Sequence, residues 1–226
     1  MRSDAQLRAD IIEELGWDAS VRDEDIATAV KDGVVTLAGT VDSFAQRCAA
    51  EHAVERVKGV RGIANDLIVK VPSTMERSDA DIAHAAVNLL RWHTELPAER
   101  IQVKVSNGWV TLEGEVDRYF QRASAEHAVR PLLGVRGVSN FLILKQTPTP
   151  ANLKQSIRTA LGRQAEADAD SIGVEIAGSK VTLRGRVRSL AERRDAAAAA
   201  WNAPGITQVE NNLAISPLET AAIYEI

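Results

Sequence analysis

The residues of this chain able to move a proton, attack a carbon or hold a metal are few: four histidines, one cysteine and scattered carboxylates. His52 and His127 each sit in an Ala-Glu-His-Ala-Val run, where the structural setting is a helix surface and a histidine is a solvated base more often than a ligand. His84 and His93 stand nine residues apart without a cysteine partner, which is not a zinc spacing. Cys48 has no second cysteine to pair with, which suits a reducing compartment, and it reads as a small packing residue rather than a nucleophile. The pair Gly59-x-x-Gly62 follows a helical stretch, whereas a phosphate cradle needs its glycines before one. No spacing in the chain assembles an acid, a base and a nucleophile, so no enzyme, metal or cofactor is expected.

An internal comparison sharpens that exclusion. Shifting the chain by 75 residues lays residues 33–42 on 108–117, 46–54 on 121–129 and 59–69 on 134–144 without a gap. A further shift of 71 reaches residues 180–189 and 204–215. Gly39, Gly114 and Gly185 coincide, as do Gly59, Gly134 and Gly205, and Asn65, Asn140 and Asn211. The third copy has Ala197 where the others have Glu51 and Glu126, and Ala198 where they have His52 and His127. Cys48 becomes Ala123. None of these titratable groups recurs in every copy. Stretches with Pro, Ser and Thr at 71–78 and 146–151 read as linkers, so the expected domains are 1–71, 78–146 and 150–216.

Each copy is positioned by the same elements. Leu7, Ile11 and Leu15 share one face of a first helix. Ile26, Thr28 and Val30 alternate, as do Ile101, Val103 and Val105, and Ile172, Val174 and Ile176, which predicts a half-buried strand. Turns at 31–33, 106–108 and 177–179 lead into a second strand and make a hairpin. There Val35, Leu37, Gly39 and Val41 fall on one face, and Gly39 is expected to let a helix approach the sheet. Ser43 and Gln46 form a candidate capping box, repeated by Ser189 and Glu192. Ala50, Ala53, Val54 and Val57 give a second helix a stripe of small residues, ending at Gly59. A last strand is expected over 66–71. The fold class is α+β: three tandem αββαβ two-layer sandwiches, each a three-stranded mixed sheet with two helices on one face.

The strand VTLAGTV at 35–41, the run GVRGIANDL at 59–67 and their counterparts resemble the BON domain (bacterial OsmY and nodulation). The resemblance covers all three copies. It implies a non-enzymatic module of envelope-stress and transport-associated bacterial proteins, with attachment to phospholipid surfaces as the proposed activity.

Charge distribution supplies the candidate site. Residues 4–70 hold eight basic and thirteen acidic residues, 79–145 eight of each, and 150–215 nine and seven. Arg184, Arg186 and Arg188 alternate with Leu183 and Val187 and are expected on the open face of the third sheet, with Arg193 and Arg194 on the following helix. Three readings stand for them: a solvated face, a partner for the acidic face of Glu113, Glu115 and Asp117, or a contact for lipid headgroups. Trp109 falls on the open face of its strand, and Tyr119 and Phe120 lead into the neighbouring helix, a second candidate surface. Trp17 and Trp92 end first helices and are expected in cores or domain contacts.

The net charge of −4 provides no general attraction for nucleic acid, and none is expected as a partner. No apolar run is long enough to span a bilayer. The charged N-terminal segment lacks the apolar core of a secretory signal, which predicts a cytoplasmic protein, or a periplasmic one if a leader has been removed. The expected function is non-catalytic binding, to anionic phospholipid surfaces or to protein partners; the alternative is a cytosolic protein–protein scaffold without lipid affinity, self-association included.

Overall fold

The computed structural model describes residues 3–145, 157 and 172–215. The first module runs α1 (Asp4–Trp17), β1 (Ile26–Lys31), β2 (Val34–Val41), α2 (Phe44–Arg56) and β3 (Gly62–Val69). The second repeats this order with α3 (Asp79–Trp92), β4 (Ile101–Ser106), β5 (Trp109–Val116), α4 (Tyr119–Val129) and β6 (Gly137–Leu144). In the third, β7 (Ile172–Ala177), β8 (Lys180–Val187), α5 (Leu190–Trp201) and β9 (Gln208–Ile215) follow the same pattern. The first helix expected in this copy and the 146–151 linker lie outside the described residues, except Ile157, which is buried in the third core.

Each sheet is mixed as expected: β1 pairs antiparallel with β2, which pairs parallel with β3, and the other two sheets keep the same order. The hairpin turns explain themselves chemically. Asp32 and Gly33 both have positive φ, as do Asn107 and Gly108, the requirement of a two-residue type I′ turn. The Asp4 carboxylate at the start of α1 accepts from the amides of Asp32 and Gly33 at 2.9 and 3.2 Å. Asp79 repeats this with Asn107 and Gly108 at 2.7 and 2.8 Å. The first helix is thereby tied to the tip of the hairpin it covers.

The first core joins Leu7, Ile11 and Leu15 of α1 to Val35 and Leu37 of β2 and to Ala50, Ala53 and Val54 of α2. The recurring asparagine closes the other side. Asn140 Oδ1 accepts from the Leu142 amide at 3.2 Å while its Nδ2 donates to the Arg122 carbonyl at 2.8 Å, fastening β6 to α4. Asn211 does the same with Leu213 and Arg193. Asn65 bonds the Leu67 amide but donates to the Glu51 carboxylate of α2.

Several local expectations need correction. Gly39, Gly114 and Gly185 do not make room for a helix. Their φ values are 131°, 130° and 132°, and a Cβ on Gly39 or Gly114 would lie 2.0 Å from the carbonyl oxygen of Asp25 or Arg100. The close neighbour is the backbone entering the first strand. The second helix of the first module ends at Arg56 rather than at Gly59, which has a left-handed φ of 99° in the turn beyond. The third strand starts at Gly62, earlier than alternation alone indicated, because its pairing with β2 begins at Val34. Trp17 and Trp92 belong to neither a core nor a domain contact; they are 87% and 85% exposed.

The modules close on one another through one equivalent position. Phe44, at the start of α2, packs against the second core. Tyr119, its counterpart on α4, stacks on Trp201 of the third module. Leu190, its counterpart on α5, packs against the first core. Module one thus docks on two, two on three, and three on one. Each contact joins unlike surfaces, and such heterologous contacts generate a ring when the rotation closes.

Candidate functional site

Closing the ring through the second helices leaves the open sheet faces outward, and the candidate residues divide between these two environments. On the third sheet, Arg184 lies 3.8 Å from Glu175, a contact between two largely exposed side chains. Arg186 is on the same face, two residues along β8. Lys180 and Glu210 pair across β8 and β9 at 2.6 Å. Arg188 is not part of this face. Its amide and Nε donate to the Glu192 carboxylate at 2.8 and 2.9 Å, so it belongs to the N-terminal cap of α5 with Ser189. Arg193 donates to the Asn211 carbonyl at 3.0 Å, and Arg194 crosses to the first module to pair with Glu55. The five arginines therefore occupy four separate places.

The aromatic candidates also separate. Trp109 lies on the open face of the second sheet with Nε1 donating to Ser139 Oγ at 2.9 Å. A Cβ on Gly137 would come within 2.4 Å of the Trp109 ring, so the ring lies flat over that glycine. Tyr119 is turned inward onto Trp201, with ring centroids 5.0 Å apart and planes 10° apart. Phe120 stands partly exposed beside it on α4.

Two residues that sequence reasoning missed complete the second face. Phe141 and Ile143 are 64% and 61% exposed and pair in register with Glu113 and Glu115. Their signal was parity: each neighbours the buried Leu142 and must point the other way. Glu113 also pairs with Lys104 at 2.5 Å. The result is an apolar strip of Trp109, Phe141 and Ile143 bordered by carboxylates. Asp117, expected with them, is taken up at the edge by Arg100, whose hydrogen bonds hold its carboxyl below the ordinary range.

At the centre of the ring the electrostatics differ. Burial, reinforced by the Arg194 and Arg130 guanidiniums, holds the His52 imidazole below its ordinary value. Burial also pushes the Cys48 thiol upward, which disfavours the thiolate a nucleophile needs. Among the described residues, no group of three or more His, Cys, Asp or Glu is arranged to hold a metal ion, and no helix is long and apolar enough to cross a membrane.

Comparison with known proteins agrees with the repeat. The BON domain family matches the chain over residues 3–71, 78–146 and 149–217. Osmotically-inducible protein Y of Escherichia coli (strain K12) is 31% identical over 133 residues, covering 56% of this chain and 65% of that protein's length. A solved structure of CdsD, a structural protein of the Type III secretion system of Chlamydia trachomatis, aligns over 93% of this chain and 92% of its own, at 15% identity and a TM-score of 0.27. The C-terminal domain of the same protein aligns over 96% of this chain and 100% of its own, at 14% identity and a TM-score of 0.25.

Proposed function

Because the chain belongs to the BON domain family, a non-catalytic family of the binding type, we propose that it is an osmotic-stress-associated docking protein whose outward sheet faces hold partners. The observation that carries this reading is the strip of Trp109, Phe141 and Ile143 on the second sheet. Large apolar side chains grouped on an exposed face mark an interaction site. Glu113 and Glu115 border the strip in register with Phe141 and Ile143. Those carboxylates would repel an anionic bilayer and attract a basic rim, which favours a protein partner for this face.

The third face supports a second reading. Arg184 and Arg186 stand two residues apart on one side of β8, where phosphate headgroups could be engaged together. The same pair complements Glu113 and Glu115, so self-association of two chains through their unlike faces follows from the same charges.

Flotation with neutral and anionic liposomes at two salt concentrations separates the readings, combined with light scattering and a photo-crosslinker placed at Phe141. Protein cross-links at Phe141 without flotation support partner docking. Salt-sensitive flotation on anionic vesicles, lost in Arg184→Glu/Arg186→Glu, supports the lipid reading. A change of mass in scattering, abolished by the same pair, identifies self-association. No cross-link, no flotation and a constant mass would remove all three.

A further inference from the structure

We propose that the cleft between the second helices, at the centre of the ring, binds a phosphate-bearing small molecule. The cleft has a volume of about 680 Å³, within the size range of small-ligand sites. Residues of all three modules line it. Three are arginines, Arg122, Arg130 and Arg194, and three are histidines, His52, His93 and His127. The chain has four histidines in all, so only His84 lies elsewhere.

Among the described residues the lining holds a single carboxylate, Glu126, already engaged by Arg130 at 2.5 Å and by Asn140 Nδ2 at 3.1 Å. Arg194 is held by Glu55 from outside the lining. Arg122 differs from both. Among the described residues no carboxylate reaches ion-pair distance of it, and its bond to the Asn140 carbonyl is 3.4 Å long. Its counterparts Arg47 and Arg193 hold the equivalent carbonyls at 2.8 and 3.0 Å. Arg130 Nε, in addition, is buried without an acceptor. A buried donor left unpaired is costly, and a guanidinium without a carboxylate is a ready partner for an oxyanion.

The donors come from different modules and face a common space, so one ligand group with several acceptor oxygens suits them better than a single carboxylate. Phosphate has that form and accepts paired N–H bonds from a guanidinium. The stacked Tyr119 and Trp201 also line the cleft and offer an apolar wall for an organic substituent. No single module could make this site. Ala198 replaces the histidine in the third copy, and Cys48 stands where the third copy has Arg194. The site exists because three unequal copies close a ring.

Imidazole NMR on the full chain tests this, with inorganic phosphate titrated against chloride at matched ionic strength. The expected result is a saturable shift of His52, His93 and His127 with His84 unmoved. Arg122→Gln should weaken it about tenfold or more, as loss of a charge-assisted contact does. Arg22→Gln, at an exposed pair with Asp42 outside the cleft lining, should leave it unchanged, and circular dichroism reports that each variant is folded. Vesicles with and without phosphatidic acid form a second arm. A response to phosphatidate vesicles but not to inorganic phosphate assigns the phosphate to a lipid headgroup, and the reverse assigns it to a soluble ligand. Shifts that never saturate, that include His84 equally, or that survive Arg122→Gln unchanged would overturn the proposal, as would silence in both arms.

Discussion

Tyr119 and Trp201 stack in parallel, 5.0 Å between centroids, although they belong to different repeats and to opposite ends of their helices. This contact is one of three at the same repeat position, and it alone joins two aromatic rings. Such a pair adds about 0.5–1.5 kcal/mol beyond the area it buries. A double-mutant cycle of Tyr119→Ala and Trp201→Ala in denaturant melts should return a coupling energy in that range. A coupling of zero would mean that the second and third modules do not meet there.

Arg194 and Glu55 hold the junction that closes the ring. Arg194→Glu places two carboxylates in contact and should lower stability by roughly 1 kcal/mol, the scale of a partly exposed pair. Adding Glu55→Arg to that variant should restore the loss. Thermal melts of the two single variants and the exchanged pair check this, and an exchanged pair no better than its parents would refute the contact.

Gly114 and Gly137, two of the close-packed glycines of the second module, should respond differently to a methyl group. Gly114→Ala drives Cβ to within 2.0 Å of the Arg100 carbonyl oxygen, at a φ of 130°. Backbone cannot step aside, and a loss of about 3 kcal/mol or more is expected. Gly137→Ala meets the Trp109 ring at 2.4 Å, and that ring lies on an exposed face where it can swing away. It should cost less and red-shift tryptophan emission. Equal melting temperatures in the two variants would contradict the distinction.

Much of this architecture was legible because its causes are local. Alternation in Val35, Leu37 and Val41 placed the core face of β2, and Asp32-Gly33 and Asn107-Gly108 are turn pairs on their own chemistry. What was not legible depends on atoms distant in the chain. Gly39 looked like a helix contact because alternation sets its face but not which backbone crosses it. Arg188 had the parity of a surface residue, yet Glu192 lies one helical turn away and captures it. The ring did leave a trace in Phe44, Tyr119 and Leu190, apolar residues opening all three second helices where a solvated residue would otherwise serve.

The His52 imidazole makes the ring sensitive to acid. Burial and the Arg194 and Arg130 guanidiniums lower its folded pKa below the ordinary 6.5, outweighing the Glu51 carboxylate. The unfolded chain therefore binds more protons in the window below 6.5, and stability should fall as pH drops through it. His52→Gln should flatten the melting temperature against pH over that interval. A wild-type profile as flat as the variant's would show that His52 does not titrate in this setting.

An open tandem array can be lengthened, since its last repeat always offers a free end. Here Leu190 and Arg194 of the last module already occupy the first, so neither end remains vacant. The three copies consequently satisfy one another's docking positions. A fourth copy would have no berth unless it displaced the third. A chain deprived of one copy would instead present an empty socket and an unused plug, and two such chains would be complementary to each other.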